Sequence, residues 1–585
     1  MPRPPVPFRL PLAGAQSHVL SHLRSYWFFN PFIHEGLCSW SIAVLEWAGR
    51  LAEFALWSRM TYLTDVWGLD TTHAAAIVNV CNGVENIMPV GMAFLADAFM
   101  GDYCMLLFSS HAYSLGMIFL AMSTPPVLSK FAGNCGEYKS NCIGGVQIIL
   151  FYLSFLFIAR GVSGHAVSLT CFLEQQKPIK TRTGQVHLAR KRREKYKWLY
   201  TGLISFIFTS LLGSMLSSMA PWSIQFGIPA TGMVVATLLF MSGSDSYIHA
   251  AEPQGSSLTT VSRVFVASAS KMFCRLPRDA NQLHENRHSS ECVPHTQGLR
   301  CLDKAAIVVP TQIENLEQQE QNRWKLCSVT EVEETKIFIR MIPLWMTFIM
   351  CGLVSSVGDT FFLDQATNLD QNSLSFWLLI FQKIAELMFS TVTKKLIENG
   401  SRKCAAPVGN IVAMIFSILC CMTAALVETR RLDVIKSHGL TEKPDEEIPM
   451  SMFCLLPQFL LLGALDGISH NILVDRDKIS GFSIACFFNG EVPDSISSYL
   501  HIFSDSVFGI GIWGGVVLVY MVGKVKPSWF QKTLNKSRLD NYYWTLTVLS
   551  FITFVFSILV AIWYNYQHSG IEEIRTPESQ SSAQT

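Results

Sequence analysis

Glu46, Arg50 and Glu53 fall at offsets of four and three within VLEWAGRLAEFALW (44–57). Each helical residue turns about 100°, so the three charges share one narrow face of an otherwise apolar segment. Arg50 stays cationic at any physiological pH. Two carboxylates beside it can hold one proton between them, because desolvation raises a carboxyl pKa and a guanidinium lowers it. That is chemistry for proton coupling and for binding a small anion. A structural reading stands next to it: a salt-bridge rung that stiffens a helix bundle. Further ionisable residues sit in apolar surroundings. Glu85 lies in CNGVENIMPVG, and Lys383 and Glu386 are three apart in FQKIAELMF, where they can meet on one helix face. Ionisable residues inside a membrane point to a functional pathway by default, although a self-satisfied Lys–Glu pair is equally a structural device.

The elements that must hold these residues follow from composition. The chain has 585 residues, 50% hydrophobic and only 15% charged, against roughly 25% charged in soluble domains. Its net charge of +1 leaves no footprint for nucleic acid. A spanning helix needs about 20 mostly apolar residues. Such runs occur near 38–60, 74–96, 103–122, 146–172, 198–219 and 222–242, and again near 336–356, 373–394, 406–427, 452–474, 497–523 and 543–564. The expected fold is an all-α membrane protein of about twelve transmembrane helices in two six-helix bundles. Its parts are an N-terminal bundle over 1–242, a partly disordered central loop over 243–335, a C-terminal bundle over 336–564 and a tail over 565–585.

Basic residues from Lys177 to Lys197, between the fourth and fifth runs, put that loop in the cytoplasm by the positive-inside rule. Both termini and the central loop then follow, whereas the cluster from Lys524 to Arg538 lands outside. On that topology the Asn535-Lys-Ser537 sequon faces outward as a glycosylation candidate. NLEQQEQNRW (315–324) suits a short surface helix, and the loop around Pro277–Asn322 lacks periodicity. The sixteen cysteines lie mostly in apolar runs without CxxC pairs, as small core residues do. Cys135 and Cys142 share one hydrophilic loop, either bridged or free. No phosphate loop, nucleophile elbow or metal-ligand motif occurs, so an enzyme has no candidate residues, and neither cofactor nor metal is expected.

Several strings, in order and spacing, carry a resemblance: FLADAFMGDY (94–103), PWSIQFGIPATGMVVATLLFMSGSDSY (221–247), SSLTTVSRVFVA (256–267), WKLCSVTEVEETK (324–336), VGDTFFLDQA (357–366), LLPQFLLLG (455–463), EVPDS (491–495) and LNKSRLDNYYW (534–544). The chain resembles the proton-dependent oligopeptide transporters of the major facilitator superfamily, in particular the plant nitrate/peptide transporter branch. The resemblance implies a multi-pass secondary transporter of the plasma or vacuolar membrane. Its two bundles would rock around a midplane cavity, with a small solute and protons as partners and a monomer as sufficient unit. Substrates in the family include nitrate, peptides, hormones and other small organic anions.

Against the family's pattern the chain departs at several positions. The first-helix motif Glu-x-x-Glu-Arg becomes Glu46-Trp47-Ala48-Gly49-Arg50, so the second acid is missing while Glu53 adds one a turn later. The fourth-helix Lys aligns with Ala166, next to His165, which is read as a packing residue or a titratable cavity group. The seventh helix carries Ser355 where a nitrate-transporting relative has a nitrate-binding His. Phe361 and Gln365, with Trp222 and Phe362, are cavity or packing residues. The tenth helix carries an insertion near NILVDRDKISG (471–481), a real one or a gene-model error, and the family's acid there aligns with Cys486. The leading expectation is a proton-coupled symporter working by alternating access. The alternatives are a non-transporting sensor and an uncoupled facilitator.

Overall fold

Inside a bilayer no water is available to backbone N–H and C=O groups, so each crossing segment must satisfy its own, which a helix does locally. A computed structural model shows that arrangement. It describes residues 31–581 except 133–136, 177–211, 214, 216–220, 249–255, 278–282, 286–294, 297, 309–323, 370–374, 400–404, 444–445, 447, 470–493 and 532. Cys135, most of the 198–219 run, most of NLEQQEQNRW, the 471–481 segment and Cys486 lie outside the described residues. Among the described residues the elements are helical, with a single isolated β-bridge between Leu283 and Ile307.

The first half contains α1 (Pro31–Trp57), its continuation α2 (Arg59–Asp65), α3 (Thr71–Leu95), α4 (Gly101–Met122), α5 (Gly145–Gln175) and α6 (Trp222–Ser242). Helix α7 (Ser257–Ser270) belongs to the central loop. The expected seventh span is built in pieces: α8 (Val329–Met346), α9 (Ile349–Val357), a π-helical turn (Gly358–Phe362) and α10 (Leu363–Leu369). Pro343 removes a backbone donor inside α8 and accounts for the break after Met346. Then come α11 (Ser375–Asn399), α12 (Ala405–Ser437), α13 (Leu456–Ser469), α14 (Asp494–Val525) and α15 (Leu539–Ser581).

Seven stretches are long and apolar enough to cross a membrane by length and composition, one of them running through α3 and α4. The described helices of the expected first, seventh and eighth spans fall outside that set. They are the ones carrying Glu46, Arg50 and Glu53, then Asp359 and Asp364, then Lys383 and Glu386. Charge is thus densest in these few helices, although the apolar stretches carry single charges such as Glu85 and Asp466 and the buried Glu428–Arg431 pair.

Two close approaches set the second half. A Cβ on Gly463 would lie 2.5 Å from the Gln382 carbonyl oxygen, and one on Gly467 would lie 2.4 Å from that of Glu386. These glycines, four apart on α13, let its backbone rest on α11, as small residues do in membrane bundles. Asp466 lies between them.

The central loop is partly built. Val264, Ala267, Leu302, Ala305, Cys327 and Val332 form a small core between α7 and the start of α8. Lys336 is fully buried beside it, 2.5 Å from Asp303 and 2.7 Å from Glu333. Lys271 donates to the Ala305 and Ile307 carbonyls at 3.1 and 2.6 Å, and burial pulls its ammonium below the ordinary lysine range. So part of the aperiodic stretch, 298–308, packs as structure.

Two expectations are settled locally. Cys142 is disulfide-bonded. Asn535, however, is buried: its Oδ1 accepts from Arg431 Nη1 at 3.2 Å and its Nδ2 donates to the Leu440 carbonyl at 3.4 Å. The nitrogen a glycan would need is inside the protein, which overturns the sequon as a glycosylation site.

Replacing Gly463 or Gly467 with Val forces α13 off α11. Each variant is expected to unfold more easily by about 1–3 kcal/mol, the usual cost of overpacking, read as a lower midpoint in thermal unfolding of the purified protein.

Candidate functional site

On α1 the Arg50 Nη1 stands 3.5 Å from Glu53 Oε2, and both side chains remain 49% exposed. Glu46 is half-buried on the same stripe. Trp57, seven residues beyond Arg50 and so on the same face, lies against the second half: the Lys383 Nζ is 5.7 Å from its ring centroid. The charge of Glu53 acts on Lys383, Glu386 and Asp359. The charged stripe of α1 therefore looks across to α11 and to the π-turn of the seventh span.

Gly49, where the family motif has its second acid, leaves open ground. A Cβ there would stand 3.9 Å from His165 Nδ1, and Tyr113 donates to the Gly49 carbonyl at 3.4 Å. His165 is buried; its Nε2 shares a 2.9 Å hydrogen bond with Ser110 Oγ, and its ring meets that of Tyr113 edge-on. Glu85 is not alone. Arg59, buried at the start of α2, pairs with it at 2.9 Å, donates to Asn82 Oδ1 at 2.8 Å and to the Leu56 carbonyl at 2.9 Å.

In the second half Lys383 pairs with Glu386 at 3.0 Å. Gln382, next to Lys383, donates to Asp466 Oδ2 on α13 at 3.0 Å. Ser355 stands beside Asp466. Phe361 and Gln365 turn elsewhere. Phe361 is buried against Phe530 and Tyr542, and Gln365 donates to Glu428 Oε2 at 2.7 Å, within a network that continues to Arg431. Trp222 lies tilted against Tyr62 and Phe226, and Phe362 lies edge-on to Phe459 and Tyr543. In this conformation these four residues are engaged in packing and hydrogen-bond contacts.

Sequence reasoning missed Arg59, Asp359 and Asp466. Asp466 was visible as an acid in the apolar LLLGALDGIS, the signal of an intramembrane ionisable residue, but the tenth-helix acid was sought further along. Arg59 had no such signal, because it sits where a helix end would put it in water.

The halves are tied along α3. Near its start Thr71 donates to Asp364 Oδ2 of α10 at 2.8 Å. Midway Trp513 Nε1 of α14 donates to the Val80 carbonyl at 3.1 Å. Past its end Tyr499 of α14 donates to Asp97 and shares a 2.7 Å bond with Ser256 at the cap of α7. At 1.5 Å per residue α3 runs about 37 Å, so the ties sit at opposite ends of the bundle. One candidate cation cluster, His295, Asp303 and Glu333, is already occupied by the Lys336 ammonium.

A crossing helix pair with fixed charges facing each other, tied at both ends, agrees with what the chain resembles. Residues 103–491 match the family model described as POT family. An Arabidopsis thaliana relative, Protein NRT1/ PTR FAMILY 5.5, is 39% identical over 538 residues, covering 89% of this chain and 96% of the relative. The chain belongs to the POT family. Protein NRT1/ PTR FAMILY 5.7 of the same plant is 29% identical, covering 89% and 87%. Among solved structures, an auto-inhibited POT family peptide transporter matches with a TM-score of 0.51 at 14% identity, over 89% of this chain and 96% of that one. A peptide transporter POT in complex with sulfate matches with a TM-score of 0.52 at 13% identity, over 91% and 95%. These structures share the fold. The protein is accordingly a multi-pass integral membrane protein of a transporter family, with the helical fold of the major facilitator superfamily.

The Arg59–Glu85 pair makes a prediction. Arg59→Met leaves a buried carboxylate uncompensated and is expected to cost about 3–5 kcal/mol of stability. Adding Glu85→Gln removes the orphan charge and is expected to recover a large part of the loss in the unfolding midpoint.

Proposed function

We propose that the protein is a proton-coupled symporter that moves a small anionic or zwitterionic solute by alternating access, in the plasma or vacuolar membrane. The observation that carries this reading is Arg50, a permanent cation half-exposed on the α1 face that looks at the second half. A guanidinium in that position presents a fork of donors to a carboxylate or an oxyanion. Glu53 competes for the same guanidinium. A proton on Glu53 releases Arg50 for a solute anion, and loss of that proton returns Arg50 to Glu53. Proton and anion thereby travel together, which is the requirement for symport. Lys383 completes the field from the opposite bundle, and Glu46 lies a turn from Arg50 as a second proton acceptor. Nitrate, a peptide, a hormone or another small organic anion fits this chemistry.

The ties along α3 give the reading its moving parts. A hydrogen bond contributes a net 0.5–1.5 kcal/mol or about 1.5–3 when a charged group takes part, so either end can open while the other holds. In this reading Thr71–Asp364 and Tyr499–Asp97 break alternately as the halves rock.

Uptake of labelled nitrate, dipeptides and organic anions into oocytes at acidic and neutral outside pH tests the proposal. Uptake of at least one solute is expected to rise in acid. Arg50→Gln is expected to lower that uptake at least tenfold, and Glu53→Gln to flatten its pH dependence with the protein still at the surface. Glu53→Gln with an unaltered pH profile would remove Glu53 from the mechanism, and no uptake of any solute would remove transport. A fluorescent fusion in plant cells distinguishes the two membranes.

A further inference from the structure

Among the described residues of the first half, Arg50, Arg59 and Lys139 each pair with a carboxylate. Arg160 of α5, among the same residues, pairs with none. Its guanidinium lies instead 5.8 Å from the ring centroid of Phe157, one turn back on the same helix. The fifth apolar run, 198–219, contains no Asp or Glu to offer it. Arg160 is also the midpoint of α5, fifteen residues from Gly145 and fifteen from Gln175, or about 22 Å each way at 1.5 Å per residue. Ser163, a turn further on, donates at 3.2 Å to the carbonyl of Glu85 midway along α3, so the same level is mid-bundle. The hydrocarbon core is about 30 Å thick, which leaves roughly 15 Å between this cation and either headgroup layer. That is too far for an arginine to reach by snorkelling.

The packing of α5 fixes the way Arg160 faces. A Cβ on Gly116 of α4 would lie 2.7 Å from the Ile158 backbone nitrogen, and one on Gly161 would lie 2.6 Å from the Tyr113 Cα. With backbones this close, α5 has no freedom to turn about its axis. At 100° per residue, Ile149, Tyr152, Leu153 and Leu156 all fall within about 80° of Arg160. All four are exposed, as are Phe108 and Leu115 on α4. Phe157, beneath the guanidinium, meets Phe119 of α4 edge-on with centroids 5.6 Å apart. Arg160 therefore stands at the rim of the α4–α5 seam, on the side turned to lipid. A permanent cation in that position is costly, and such residues otherwise face a bundle interior or a partner charge. A phenyl ring offsets only part of that charge.

We propose that the outer α4–α5 seam docks a transmembrane helix of another membrane protein, one that carries a carboxylate at mid-span to pair with Arg160. Charge complementarity selects the occupant. Lipid phosphates lie out of reach at the headgroup level. A second copy of the chain does not supply the anion either. Among the described mid-span carboxylates the exposed ones, Glu53 and Asp359, face the region between the halves. Two copies set face to face would also oppose Arg160 with Arg160. A carboxylate on a neighbouring helix meets the guanidinium fork with an ion pair and hydrogen bonds at once. The exposed leucines and aromatic rings around it supply the close packing that drives helix association in lipid. Pairing at this depth also sets the register, because the partner's acid must fall near the middle of its own span of about 20 residues. The docking is independent of what the protein carries.

Energy transfer between the labelled full chain in phosphatidylcholine vesicles and a synthetic poly-leucine transmembrane peptide with one central Glu tests the site. The Glu peptide is expected to associate about tenfold or more tightly than its all-Leu counterpart. Arg160→Leu is expected to erase that difference and Arg160→Lys to keep part of it. Leucine suits a lipid-facing position, so the first variant is expected to fold, and the second reads the site if it does not. Equal association of the two peptides with the wild type, or a preference that survives in Arg160→Leu, overturns the proposal. A preference lost when phosphatidylglycerol replaces phosphatidylcholine also overturns it, since the cation then belongs to a lipid phosphate. A photo-reactive residue in place of Leu156, in the full chain in plant membranes, reads the native occupant. The expected product is an adduct with a membrane protein whose span carries a central acid, absent in Arg160→Leu. An adduct of twice the chain's mass, or no adduct at all, overturns the proposal.

Discussion

The structure depends on how charge is balanced in a place where water is scarce. Each ionised side chain placed in the hydrocarbon of a bilayer costs on the order of 3 kcal/mol even by the gentler scales, and the cost falls only where charges meet opposite charges or an aqueous space. The protein meets this by collecting them. Arg59 and Glu85 are sealed together, as are Glu428 and Arg431, while Arg50 and Glu53 stay half-open. The sealed pairs hold helices in place. In the proposed symport the open pair is the one that exchanges its partner for a solute or a proton.

Helix packing serves this balance. The chain brings Asp466 to Gln382 through glycines that let two backbones almost touch, and brings α1 to α11 through a tryptophan laid under a lysine. Neither contact is strong alone. A cation over an aromatic face contributes about 0.5–1 kcal/mol at exposed sites. Their value lies in placement, since a displacement of an ångström would separate the acid from its amide or the lysine from the opposite half.

Much of this was legible beforehand. Length of apolar runs gave the helices, because the bilayer leaves little choice of secondary structure, and Lys383 with Glu386 three residues on could be paired from helical geometry alone. The ordered strings from FLADAFMGDY to LNKSRLDNYYW pointed to the family that the relatives show. What escaped depended on contacts distant in sequence. Glu85 was seen, but its partner Arg59 comes from another helix 26 residues away. Gln365 was in view as a cavity residue, yet Glu428 and Gln458 claim it. Asn535 matched a sequon whose three letters carry no information about whether the side chain is inside. Asp466 showed as a single letter in an apolar run, and its hydrogen-bond partner Gln382 lies 84 residues away.

The linker between the halves offers a last point. Lys336 belongs to the helix that becomes the seventh span, yet its ammonium is clamped by Asp303 in the linker's own small core, and Ser256 at the head of α7 is bonded to Tyr499 of the eleventh. The described parts of this loop, which the sequence reading takes as partly disordered, are bonded to the C-terminal half like a handle. In the alternating-access reading proposed above, a tilt of that half would carry the handle with it, and the handle's position would report which way the molecule faces.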